Sequence, residues 1–153
     1  MRYTLEDCFH EMCHFWFMYD YFGEKEAIAY CDGRKLTINT APPPFNNYEE
    51  LVDLGMYMVA GIAGDSINGQ FGSDDNIYNQ FCTDPGYGDD LYHFRRIHKA
   101  STRHYNIKDS LEKWFDLIFD KVTSYLLKLD IDELHKGAAL FLKNGTYHIP
   151  KGE

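Results

Sequence analysis

The segment Thr4-Leu5-Glu6-Asp7-Cys8-Phe9-His10-Glu11-Met12-Cys13-His14 reads as the start of an amphipathic helix. Thr4 is a good N-cap, because its hydroxyl can accept from a backbone N–H of the first turn. Glu6 and Asp7 fall in that turn, where the positive end of the helix dipole favours negative charge. The pattern predicts a helix over residues 5–21, stopping at Gly23.

Working outward, residues 27–31 and 35–40 flank Asp32-Gly33, a dipeptide suited to the positive φ angles of a tight hairpin turn. Ala41-Pro42-Pro43-Pro44 cannot be helical and serves as an extended connector. Asn47 can then cap a second helix over residues 48–64, with Leu51, Leu54, Met58 and Ile62 recurring at three- and four-residue intervals. Residues 65–88 are rich in Gly, Asn, Asp and Ser and read as mostly loop, long enough to act as a lid. Helical periodicity returns over residues 89–104 and 109–129. It returns again from Asp130 or Asp132 to Lys143, where Asn144-Gly145 ends it. The expected fold is mainly α (α+β), about five helices with one small β-hairpin, in a single domain spanning residues 1–153.

Composition narrows the function. At 153 residues, with 44% apolar and 16% aromatic side chains, the chain can bury a core without disulfides. The net charge of −9 and the lack of any Lys/Arg run longer than Arg95-Arg96 argue against nucleic acid as a partner. No window approaches the about 18 to 20 apolar residues of a membrane span, and Glu6 and Asp7 interrupt any leader-like stretch. Cys8, Cys13, Cys31 and Cys82 match neither a CxxC pair nor a dense disulfide framework. A cytoplasmic protein with reduced thiols is expected.

His10-Glu11-Met12-Cys13-His14 has the form His-Glu-x-x-His. On a helix it sets two imidazoles one turn apart, about 40° from each other around the axis, so both can reach one metal ion. Catalytic Zn2+ takes three protein ligands and keeps a fourth position open for water, whose pKa it lowers to roughly 7. Glu11 projects beside the histidines and can take the water's proton during attack on a peptide carbonyl. A five-residue pattern can arise by accident, but a core reading would bury His10, Glu11 and His14 with no evident partners.

Three acidic groups compete for the remaining ligand position. Asp20 lies six residues after His14, but families with that spacing break the helix with a Gly where this chain has Phe17. Glu49 with Asp53 has the spacing of the thermolysin-like class. The Asp89-Asp90 pair enters a helix directly after a Gly-rich loop.

The order of these pieces resembles the zinc peptidase domain of the FtsH family of AAA proteases over nearly the whole chain. That family carries HEAGH, a strand of the form KVTI, a helix with an AGRAAE-like segment, and a TGAxND turn leading into another helix. Here they correspond to the His10–His14 motif, to Lys35-Leu36-Thr37-Ile38, to Ala60-Gly61-Ile62-Ala63-Gly64-Asp65 and to Gly86-Tyr87-Gly88-Asp89-Asp90-Leu91. Cys13, Ile62 and Gly64 stand where the family has Gly, Arg and Glu. The resemblance implies that His10, His14 and Asp90 are the zinc ligands and Glu11 the base. It also implies that Lys35, Leu36, Thr37 and Ile38 form an edge strand on which substrate backbone pairs. With no ATPase domain in the sequence, the expected activity is ATP-independent cleavage of unfolded or extended polypeptide, with a separate unfoldase or adaptor as a possible partner. The competing expectation is a catalytically inactive peptidase-fold protein that serves as a metal-binding or interaction module.

Other residues have plainer readings. Cys13 points about 80° from the metal direction and reads as packing. Trp16 and Trp114 read as core. His93 and His98 read as surface histidines, with the alternative of orienting a ligand. Asp74-Asp75-Asn76 lacks calcium-loop spacing and reads as solvated loop.

Overall fold

The computed structural model describes residues 3–33 and 35–150. The protein is mainly helical, with a small antiparallel sheet. In chain order the elements are α1 (Leu5–Trp16), β1 (Ala29–Asp32), β2 (Lys35–Ile38), α2 (Tyr48–Ile67), α3 (Ile77–Thr83), α4 (Gly88–Tyr105), α5 (Leu111–Leu126), α6 (Ile131–Asn144) and β3 (Thr146–Tyr147). Among the described residues, no helix is long and apolar enough to cross a membrane. Contacts gather the chain into two compact units. One joins the stretch up to Pro43 with the stretch from Leu127 onward, and the other is Pro44–Leu126.

In the first unit, Thr4 and Asp7 close a capping box at the start of α1. Asp7 N–H donates to Thr4 Oγ1 at 3.1 Å, and Thr4 N–H donates to Asp7 Oδ2 at 2.9 Å. α1 packs on α6, burying Cys8, Phe9, Met12, Cys13 and Phe15 with Leu134, Ala138 and Phe141. Gly137 permits the approach, because a Cβ there would stand 3.0 Å from Met12 Sδ and 3.3 Å from the Tyr147 ring. The sheet order is β2-β1-β3. Tyr30 faces Thr37 and Asp32 faces Lys35 across the hairpin, and Gly33 takes φ 60° at its turn. β3, a pairing the local pattern did not predict, adds Tyr147 opposite Ala29.

In the second unit, α2 packs against α4 and α5. Its buried stripe runs through Leu51, Val52, Gly55, Met56, Val59, Ala60, Ile62 and Ala63, while Leu54 and Met58 are only half-buried. Gly55 lies under Trp114, whose ring would stand 3.2 Å from an added Cβ. That ring is fixed by its indole N–H, which donates to the Tyr48 hydroxyl at 3.1 Å, and by packing against Phe94 at 5.2 Å.

The lid expected over residues 65–88 is replaced by structure. α2 continues to Ile67, and α3 follows with Asn76 as its cap, whose Oδ1 accepts from Asn79 N–H at 2.9 Å. Phe81 of α3 is fully buried, 5.0 Å from Phe115 and 5.7 Å from Phe94. Buried Phe81, with Tyr78 also against Phe115 at 5.4 Å, ties this polar stretch to the core, and residues 68–76 remain loop. Among the described residues there are six α-helices, where about five are expected.

Candidate metal centre

α1 brings His10 and His14 together on one face. Their ring centroids are 5.1 Å apart and the planes are inclined at 64°. His14 is buried and His10 half-buried, so the pair sits at the edge of the α1 core. The helix is held against rotation by rings on its other faces. Phe9 stacks on His135 of α6 at 4.6 Å, and Phe15 meets Tyr147 edge-on at 5.2 Å. Two imidazoles on a helix so anchored can offer nitrogens in a common direction, which is what metal ligation asks of neutral histidines.

Glu11 follows His10 and is half-buried. From helical geometry its side chain leaves α1 about 80° from the mean direction of the two imidazoles. Cys13 is fully buried among apolar side chains, in agreement with a packing role. The α-helix ends after Trp16, and Phe17–Tyr21 winds as a π-helical turn in which Phe22 N–H reaches back to Phe17 O at 3.0 Å. Asp20 lies exposed in this wider turn. Gly23, at φ 73°, then turns the chain away.

β2 is a terminal strand of the sheet. Asn39 N–H donates to Ile28 O, which fixes the phase of the hairpin ladder. By the alternation of antiparallel pairs, Tyr30–Thr37 and Asp32–Lys35 are then the hydrogen-bonded positions. The main-chain groups of Leu36 and Ile38 therefore point away from β1.

In the second unit, Asp90 occupies the first turn of α4 and is half-buried, with exposed Asp89 beside it. A 3-10 turn, Pro85–Tyr87, leads into this helix, and Asp84 Oδ1 accepts from Gly86 N–H at 2.8 Å. Tyr87 then reaches across to α2, where its hydroxyl donates to Asp65 Oδ2 at 2.7 Å. Both residues are buried. Burial, and after it the adjacent Asp65 charge, raise the Tyr87 pKa far above the ordinary phenol value, so the hydroxyl stays a donor. Neither residue announces itself in the sequence, since their relation depends on α2 packing against α4.

The other acidic candidates stand elsewhere in this unit. Glu49 is exposed in the first turn of α2, with Asp53 half-buried one turn on. His98 is accounted for structurally: its Nε2 lies 2.7 Å from Asp109 O and its ring packs on Trp114. His93 is exposed beside Tyr92. Asp75 accepts from Gly72 N–H at 2.7 Å, closing the loop before α3. No family model, characterised protein or solved structure matches the chain.

Proposed function

We propose that the chain is a cytoplasmic zinc-dependent peptidase that cleaves extended or unfolded polypeptide segments and needs no ATP of its own. The observation that carries this reading is the His10–His14 pair, set side by side on one face of α1 with Glu11 adjoining. His10, His14 and Asp90 would hold the ion. Two imidazoles and one carboxylate suit zinc and leave a coordination position for the reaction.

Zinc, when bound, supplies a Lewis acid that makes water acidic near neutral pH and polarises a peptide carbonyl. Glu11 accepts the proton of the attacking water on a carboxylate oxygen as the new C–O bond forms. It then delivers that proton to the amide nitrogen as the C–N bond breaks, leaving an amine and a carboxylic acid that gives its remaining proton to solvent. β2 would bind the substrate as an added strand through the outward groups of Leu36 and Ile38. Such pairing needs free backbone groups, and a folded protein has already paired most of its own. Folded substrates would therefore depend on a separate unfoldase or adaptor.

The test is to incubate the purified chain with a stable folded domain and with the same domain carrying a disordered tail. Zinc-dependent cleavage confined to the tail is expected, and chelation of the metal should stop it. Equal cleavage of the untailed domain, or cleavage that survives chelation, would overturn the reading.

A further inference from the structure

Most helices of this protein begin on a side chain turned back onto their own first turn. Thr4, Asn47, Asn76 and Asp130 each accept from a backbone N–H of the helix they open. α4 is different. Its N-cap is Tyr87, which makes no side-chain cap bond and instead hydrogen-bonds Asp65 on α2. Asp65 is itself in an unfavourable position for stability. It is a carboxylate only 7% exposed, near the C-terminal end of α2, where the helix dipole is negative. A residue that works against its own helix points to a task outside it. What it holds is the residue from which α4 starts, three positions before Asp90 in the same first turn.

We propose that Tyr87 is a positioning residue whose hydroxyl bond to Asp65 fixes the first turn of α4 so that the Asp90 carboxylate is presented in a single geometry for metal binding. This rests on the reading of Asp90 as a ligand. The ring of Tyr87 also packs near Phe81, at 6.2 Å, so the phenol is anchored along its length and its tip sets the rotation of the turn. Removing the hydroxyl leaves the ring and loosens only the tip.

The test measures zinc affinity of the folded protein by competition with a chromophoric chelator, alongside the melting temperature of the metal-free form. Tyr87→Phe should weaken zinc binding about ten- to a hundred-fold, the usual effect of losing a residue that orients a ligand. Asp65→Ala should do the same, while Asp65→Asn, which keeps an acceptor oxygen for the phenol, should retain most of the affinity. In an Asp90→Ala background, Tyr87→Phe should have no further effect on zinc, because the hydroxyl acts through Asp90. If Tyr87→Phe lowers the melting temperature but leaves zinc affinity unchanged while Asp90→Ala weakens it, the positioning role is overturned and the ligand assignment stands. If Asp90→Ala itself leaves affinity unchanged, the ligand assignment falls and the positioning role with it. Additive losses in the double variant would likewise overturn action through Asp90.

Discussion

His10 and His14 approach with ring centroids 5.1 Å apart and planes inclined at 64°, an edge-on contact and not a stacked one. If this pair is a metal site, the purified protein should bind one zinc per chain. His10→Ala, at the more exposed of the two positions, should lose most of that binding with little effect on folding. Asp90→Ala should also lose metal, whereas Asp20→Ala and Glu49→Ala should keep it. Metal content by elemental analysis decides: zinc retained in Asp90→Ala but lost in Glu49→Ala would move the third ligand to α2.

Glu11 should serve as a base and not as a ligand. Glu11→Gln keeps the size of the side chain and removes its ability to take a proton. Zinc content and melting temperature should stay at parental values while peptide hydrolysis drops by about 10²- to 10⁴-fold. Turnover at the parental rate would remove Glu11 from the chemistry.

The outward N–H of Leu36 can be deleted without touching the β1 ladder, since Leu36 faces Cys31 at a position without ladder hydrogen bonds. Leu36→Pro should cost a bound strand one backbone bond, worth about 1 kcal/mol, and so raise KM roughly five-fold with a smaller change in kcat. Steady-state kinetics on an unstructured peptide measures the split. An unchanged KM would mean that substrate does not pair on β2.

Gly55 is held to zero side chain by Trp114. Alanine there gains about 1 kcal/mol of helix propensity. It also pushes a Cβ to 3.2 Å from a ring pinned by Tyr48 and Phe94. Overpacking of this kind costs about 1–3 kcal/mol. Gly55→Ala should therefore lower stability by about 1 kcal/mol net in urea unfolding. A more stable variant would show that Trp114 can move aside.

The parts legible in the sequence are those with local causes. Thr4, Asn47 and Asp130 cap helices because the acceptor and the donor lie within three residues of each other. Asp32-Gly33 marks the hairpin because only a residue tolerant of φ 60° closes it. The histidine pair follows from one helix's period. What stayed hidden depends on partners distant in the chain. α3 has the composition of a loop and owes its place to Phe81 meeting Phe94 and Phe115. β3 is two residues long and exists through its pairing with β1. The buried stripe of α2 is broader than its three- and four-residue spacing suggested, because α4 and α5 both pack against this helix. Tyr87 and Asp65 are separated by 22 positions and share no period.

The pairing of α1 with α6 has a consequence for the newly made chain. Every residue of Pro44–Leu126 is synthesised between these two helices, and that stretch forms its own compact unit from contacts within itself. It can therefore condense on the ribosome as soon as it emerges. α1 is made before α6 and cannot bury Phe9 and Met12 until α6 arrives, a contact of high sequence separation and so of slow closure. The helix that bears His10 and His14 is thus translated well before the partner that packs on it, and the histidine pair is among the last features of its unit to be fixed.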